Sequence, residues 1–570
     1  MSKCVPLWDE DSAVVGVELA GSDHPTQIML FETHMLLPFR QSIAKFSHKL
    51  FDVGIAFGSG ILMGMTFAPS QVWYLAWVAL APLWYLTSRQ QNAPLIYAAA
   101  WGIGCYGWCL SWIFGIHPMT WMGVPFLASL GIATFCLTFI TLWGASLVVL
   151  WSLGLRFINS KPQLNPWLRV LLGTGLWCGL EELYSLTDLW WSPLAMTQSP
   201  HNLAILHLGQ LSGPTTVTGA IVLVNGLIAE GYLAFVGEAS VHEHRDRHHP
   251  KFMPKIWQAS PYIGIAIASI IIIHLIGSHL LNRPLLEEIE SSLKMGIVQG
   301  NIGNEVRHYR SGYELAMENY TKGYLSLAEQ GVAAVVTPET ALPYRESQIE
   351  QTPFYQAILA RKVPAFVGGF GEVGNKITNS ILTIDGDGQI ISRYDKWKLV
   401  PLGEYIPFEQ FLGKFVDTIS PLDSHLLAGK FAPSVLTPLG NLIFGICYDS
   451  AYPEHFRRQA QTGELIITAS NDAHYGMAMP AQHQALDLMR SIETDRWTLR
   501  ASNTGYSAVI DPHGRTQWIS QLDEFVAHAH TVYRRHTQTL YVRSGNWLTP
   551  LLLAIGFILF LLPTRPKNVA

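Results

Sequence analysis

Gly445-Ile446-Cys447-Tyr448-Asp449 closes an apolar run, Leu442 to Ile446, and opens a polar turn, Asp449 to Glu454, with Pro453 inside it. A short apolar run bounded by turn residues reads as a buried strand. Such a strand carries its last side chain to the rim of a sheet, where a nucleophile meets substrate. Cys447 is the only cysteine after residue 178. A free thiol on its own is often plain core packing, so its chemistry depends on what stands at the other strand ends.

The surrounding composition divides the chain. Of 570 residues, 49% are hydrophobic and 14% charged, with 19 Trp. An average soluble domain carries about 25% charged residues. The apolar excess lies before residue 282 and after 546, while 283–545 reads as a soluble domain. A net charge of -5 argues against a nucleic-acid partner. Cys105, Cys109, Cys136 and Cys178 lie in apolar segments and Cys4 near the start, so no disulfide framework is visible.

Residues 1–50 show no period and no secretory signal; Met29 or Met35 is a possible alternative start. Eight apolar segments follow, near 52–69, 72–87, 94–116, 124–152, 167–186, 215–236, 261–281 and 546–563, against the roughly 20 residues a span needs. Gly60 and Gly64 form a small-xxx-small pair. Gly102-x-Gly104-x-x-Gly107 matches a dinucleotide fingerprint in letters. It has no preceding strand and sits in an apolar helix, which reads as helix packing. Lys and Arg occupy the region before the first segment, alternate loops and the C-terminal tail. The loops at 70–71, 117–123 and 187–214 hold none. Positive loops stay inside, which predicts cytoplasmic termini and an outward-facing 282–545. The run His242 to His249 reads as a solvated cytoplasmic loop rather than a metal site. The 187–214 loop is rich in Trp190, Trp191, Leu194, Met196 and Ile205. It reads as an interfacial anchor or as an apolar wall of the site mouth.

The soluble part alternates strands and helices. Strands are predicted at 294–299, 333–336, 365–368, 442–446 and 465–469, with helices at 310–330, 353–361 and 481–497. Asp-Gly-Asp-Gly and Asp-Pro-His-Gly turns mark hairpins at 381–392 and 506–519. Interleaved strands and helices predict a layered α/β sandwich. Three strand ends then carry candidate groups: Glu339 after AVVTP, Lys396 after SRYD, Cys447 after IFGI. A carboxylate whose pKa burial raises can take a thiol proton, and a lysine can stabilise an oxyanion.

Glu-Lys-Cys in this order resembles the nitrilase (carbon–nitrogen hydrolase) superfamily. The stretches VVTPETALP, YDKWKLVPLGEYIPF, GICYDSAYPE, ITASNDAHYG, RASNTGYSAVIDPHG, MGIVQGNI and RSGNW resemble the apolipoprotein N-acyltransferase family over about residues 52–563. The resemblance implies an eight-span helical membrane domain with an inserted nitrilase-like α-β-β-α sandwich. Its divisions are an extension at 1–50, seven spans in 51–282, a periplasmic catalytic domain at 283–545, and an eighth span with tail at 546–570. It implies Glu339 as general base, Lys396 as oxyanion stabiliser, Cys447 as nucleophile, and Glu404, Tyr448 and Asp449 as supporting residues. It implies no cofactor and no metal. The implied partners are a phospholipid acyl donor, a diacylglyceryl-apolipoprotein acceptor and the lipid bilayer, acting on a monomer in the inner membrane. Acyl transfer would run by ping-pong through a thioester.

The chain departs from the family pattern at three places. Asp449 stands where Cys-Tyr-Glu is usual, His474-Tyr475 where Trp-Phe is common, and His308 where a tryptophan follows the first strand. These departures bear on acyl-chain fit more than on reaction type. Two rival readings remain at the level of sequence. One is a membrane-tethered amidohydrolase of the same superfamily. The other is a transporter with an outer domain, although Asp52, Glu181, Glu182 and Glu230 lie towards span ends or in weak spans rather than at a midplane.

Overall fold

The computed structural model describes residues 47–89, 94–161, 164–236, 255–307, 309–405, 426–431 and 434–562. The 242–249 run, His308, both alternative starts and the C-terminal tail lie outside them. Residues 1–52 and 53–570 form separate compact units; of the first, only 47–52 are described, and they are helical.

The catalytic half is a sandwich of two six-stranded sheets. The first contains β1 (Ser292–Gln299), β2 (Ala334–Val336), β3 (Ala365–Val373), β4 (Lys376–Ile384) and β5 (Ile390–Asp395), with β12 (Val526–Tyr533) beside β1. The second runs β11-β10-β9-β8-β7-β6. These are β6 (Val435–Thr437), β7 (Gly440–Ile446), β8 (Leu465–Ser470), β9 (Thr498–Ser502), β10 (Ala508–Ile510) and β11 (Thr516–Ile519). In each sheet a parallel trio, β1-β2-β3 and β7-β8-β9, is flanked by antiparallel strands.

The strands alternate faces, as period two requires. Ile297, Val336, Phe366, Phe444, Ile446 and Ile467 meet in a dry seam between the sheets. On the outer face of the first sheet, Val335 and Val367 pack under helices Arg310–Glu329 and Pro353–Arg361 through Tyr324, Phe354 and Ile358. Ile443 and Ile466 of the second sheet pack against Phe456 of helix Pro453–Gln459. The expected α-β-β-α layering is therefore present. Helix Ala478–Thr494 stops three residues before its expected end. Asp495 there adopts a left-handed conformation, and the chain enters β9, which periodicity alone missed.

The membrane half is helical. Among the described residues, three helices are long and apolar enough to cross a bilayer: Phe126–Asn159, Pro214–Val236 and Ile256–Leu281. The 94–116 stretch is helix Ile96–Cys109 followed by a 3-10 turn, and Leu548–Leu561 is a shorter apolar helix. The second apolar segment is broken into a 3-10 turn, Trp73–Trp77, and helix Ala81–Ser88. Asn225 repairs the break. Its Oδ1 accepts from Leu80 N and Ala81 N, and its Nδ2 donates to Ala76 O and Ile221 O, all at 2.9 Å. The glycine fingerprint is helix packing: a Cβ on Gly102 would lie 2.6 Å from Ala145 Cα, and one on Gly104 2.5 Å from Phe57 O.

The 187–214 segment is not a lipid-facing anchor. Trp190, Trp191, Leu194, Met196 and Ile205 are buried. Glu181 draws the segment inward by accepting from Leu194 N, Trp177 Nε1 and Thr218 Oγ1. Trp191 Nε1 and Trp112 Nε1 both donate to Gln482 Oε1 of the catalytic half, whose Nε2 returns to Cys109 O. Asn546 of the RSGNW stretch donates to Glu182 Oε2 at 2.7 Å. The two halves are thus sewn together by hydrogen bonds at the level of the site.

Candidate active site

The site gathers at the strand ends. β2 leads into Thr337-Pro338-Glu339, β5 ends one residue before Lys396, and β7 ends one residue before Cys447. Gly368 on neighbouring β3 lets the Glu339 loop approach. A Cβ there would lie 1.9 Å from Pro338 O, closer than any side chain permits.

Lys396 is 1% exposed and sits between two carboxylates. Its Nζ donates to Glu339 Oε1 at 2.9 Å and lies 2.9 Å from Glu404. Asn379 of β4 ties the same pair, donating to Glu339 Oε1 at 2.7 Å and Glu404 Oε1 at 3.0 Å. Glu404 is fixed in turn by Val400 N, 2.8 Å from its Oε2. Sequence reasoning missed Asn379. It sits in the polar run Thr378-Asn379-Ser380 of β4, which does not mark it out in the sequence.

The electrostatics correct one expectation. Burial pushes the Glu339 carboxyl up, as anticipated, but Lys396, Asn379 and Arg307 outweigh it and hold the carboxyl below the usual carboxylate range. Burial disfavours the Lys396 charge, yet Glu339 and Glu404 push its pKa well above normal. The Cys447 thiol is pushed well up, first by burial and then by Glu339, with Lys396 opposing. The resting site therefore holds a neutral thiol, a lysine cation and a carboxylate.

Cys447 is 6% exposed and opens a 3-10 turn, Cys447–Ala451. The supporting residues surround it. Asp449 is fully buried, and both its carboxylate oxygens are engaged. Its Oδ2 accepts from Ile446 N and Tyr394 OH, and its Oδ1 from Lys398 N. The shorter carboxylate thus locks the lysine segment onto the Cys447 turn. Tyr448 points to the membrane half. Its hydroxyl donates to Asp188 O at 2.8 Å and accepts from Trp190 N at 3.0 Å, and its ring stacks on Trp191. Asp188 also binds Lys398 Nζ and Tyr405 OH. His474 stacks on Trp121 and Tyr475 meets Trp112 edge-on, so this pair faces the segment after helix Ile96–Cys109. Among the described residues, no three His, Cys, Asp or Glu side chains converge as metal ligands.

The chain matches two family models: the apolipoprotein N-acyltransferase N-terminal domain over residues 59–227 and carbon-nitrogen hydrolase over 294–528. It is 49% identical over 503 residues to an apolipoprotein N-acyltransferase of Nostoc sp., covering 87% of this chain and 96% of that one. The enzymes of the same name from Synechocystis sp. and Thermosynechococcus vestitus are 42% and 38% identical. The first of these alignments covers 88% of this chain and 98% of the relative, the second 85% and 90%. The chain belongs to the apolipoprotein N-acyltransferase family.

Proposed function

We propose that this chain moves an acyl chain from a membrane phospholipid, through a thioester on Cys447, to the α-amino group of the N-terminal S-diacylglyceryl-cysteine of apolipoproteins. The observation that carries the reading is the Glu339–Lys396–Glu404 cluster, its glutamate–lysine pair buried, beside a thiol whose own turn is hydrogen-bonded to the membrane half through Tyr448. A soluble amidase has no use for that second connection.

The chemistry balances with the groups present. The thiol is neutral at rest, so its proton passes to Glu339 as Cys447 Sγ attacks the ester carbonyl. Lys396 faces the oxyanion that forms. Collapse breaks the ester C–O bond, and the lysophospholipid oxygen takes the proton from Glu339. The lipoprotein amine then attacks the thioester and gives its proton to Glu339. A second oxyanion collapses, the C–S bond breaks, and Cys447 recovers the proton. Glu404 and Asn379 hold Lys396 and Glu339 in register, while Tyr448 and Asp449 hold the turn. The reaction requires no cofactor or metal, and water exclusion protects the thioester.

The same reading keeps eight spans, with seven in 51–282 and one at 546–563. It places 283–545 on the periplasmic face of the inner membrane, both termini in the cytoplasm, and the enzyme as a monomer. Its support is the Lys/Arg asymmetry of the loops. The test is product analysis. Purified protein given acyl-labelled phospholipid and a diacylglyceryl-cysteine peptide should yield labelled N-acyl peptide. Label released only as free fatty acid would make the chain a hydrolase and overturn the proposal.

A further inference from the structure

Behind the nucleophile lies a buried charged network that the transfer steps do not use. His483 of helix Ala478–Thr494 is fully buried. Its Nε2 stands 2.9 Å from the Cys447 carbonyl oxygen, and its Nδ1 stands 2.8 Å from Asp472 Oδ1. Both partners are acceptors, so both ring nitrogens donate. Asp472 Oδ2 accepts from Arg500 Nη2 at 2.8 Å and Ser502 Oγ at 3.3 Å. Arg500 Nη1 continues to Asp487 Oδ2 at 2.6 Å, and Asp487 Oδ1 accepts from Ser450 Oγ at 2.6 Å. The network therefore grips the nucleophile's turn twice, at the Cys447 carbonyl and at Ser450.

The grip falls where the backbone needs it. Cys447 has φ +49°, the left-handed region, which costs a non-glycine residue on the order of 1–3 kcal/mol and persists only where the surroundings impose it. The 447–448 peptide is planar, so its carbonyl and the Tyr448 N–H point in opposite directions. With the carbonyl turned inward onto His483, the Tyr448 N–H is turned away from helix Ala478–Thr494. It belongs to the first residues of a 3-10 turn, whose amides have no partner within the turn.

We propose that His483, clamped by Asp472, is a positioning residue for acyl transfer: through the Cys447 carbonyl it sets the 447–448 peptide, and so presents the Tyr448 N–H as a second oxyanion donor beside Lys396. The inference rests on Cys447 being the nucleophile. It separates His483 from a proton shuttle, because an oxyanion arises in both half-reactions and a misplaced donor slows both.

The test uses the full-length protein in detergent with acyl-labelled phospholipid. Loss of one oxyanion donor costs about 10²–10³ in rate, so His483→Ala should slow thioester formation about 100-fold at unchanged half-saturating phospholipid. Thioester accumulated on His483→Ala by long incubation should be aminolysed more slowly by a comparable factor. His483→Gln, whose amide N–H reaches the same carbonyl, should recover about tenfold of the roughly 100-fold loss. If His483→Ala does not fold, Asp472→Asn keeps an acceptor for Nδ1 but loses the charge, and should lower turnover about tenfold at constant KM. Folded His483→Ala with near-normal thioester formation, slowing confined to one half-reaction, His483→Gln no faster than His483→Ala, or unchanged turnover in Asp472→Asn would each overturn the proposal. Absence of label on the wild type would remove the nucleophile itself. Label on the wild type with undiminished label on His483→Ala would remove this inference alone.

Discussion

Lys396 carries more of the site than any other residue, because buried Glu339 and half-buried Glu404 both depend on it. Lys396→Ala removes the oxyanion charge, which should lower turnover about 10²–10³-fold. It also leaves Glu339 and Glu404 without the cation that sits between them. Breaking a buried pair by removing one partner typically costs about 3–5 kcal/mol, so thermal unfolding in detergent should drop as well. Near-normal turnover would take Lys396 out of the mechanism. Asp472 gives a pH test. Burial works against its ionisation, but His483 and Arg500 outweigh burial and push its carboxyl down to about 2. An unperturbed Asp titrates at about 3.9. A depressed native pKa stabilises the fold fully above the unfolded value and loses that contribution as pH falls through the native one. Asp472→Asn should therefore be less stable than wild type at pH 7, with the gap closing between about pH 4 and 2. A gap that stays constant to pH 2 would contradict the assigned ion pairs.

Two elements owe their shape to single residues. Gly368 allows the Glu339 loop to cross β3. Gly368→Ala should displace Glu339 from Lys396 and abolish thioester formation while the far-UV spectrum is kept; a fully active variant would show that the loop has slack. Asn225 satisfies three backbone groups where the second apolar segment breaks, Leu80 N, Ala81 N and Ala76 O. Buried groups left unpaired cost about 1–3 kcal/mol each, so Asn225→Ala should lower the unfolding temperature clearly more than a surface substitution such as Glu350→Ala does. The contrast with the catalytic half explains what was legible in the sequence. Strands such as Leu465–Ser470 announce themselves because apolar runs end at turn residues, and the three strand-end groups follow from them. Asn379 and His483 were not legible as partners. Their roles arise from strand β4 lying beside β5 and from a helix side chain reaching a backbone carbonyl, and neither leaves a periodic signal. Glu339's acidity ran opposite to expectation for the same reason, since Lys396 and Asn379 approach it only in three dimensions. The 187–214 segment misled in another way: its tryptophans have the composition of a membrane interface but are buried by contacts with Gln482 and Tyr448.

At the scale of the molecule, a half with apolar helices long enough to cross a bilayer is joined to a carbon-nitrogen hydrolase half. Its orientation rests on the loop charges. With the native cysteines replaced, a cysteine at exposed Glu350 should react with an impermeant thiol reagent supplied from the periplasmic side, and one at exposed Ser160 should not. Reversed labelling would invert the topology. The stitching by Gln482, Asp188 and Asn546 holds the Cys447 turn against the membrane half, where the proposed reaction needs it. The central claim is that Cys447 takes the acyl chain from phospholipid before the acceptor binds. The measurement is direct: incubate purified protein with acyl-labelled phospholipid alone, then test for hydroxylamine-sensitive label on Cys447. The account predicts label close to one acyl group per chain in the wild type and none in Cys447→Ser or Glu339→Gln. Label that appears only when the acceptor is also present, or Cys447→Ser that still N-acylates lipoprotein near the wild-type rate, would contradict it.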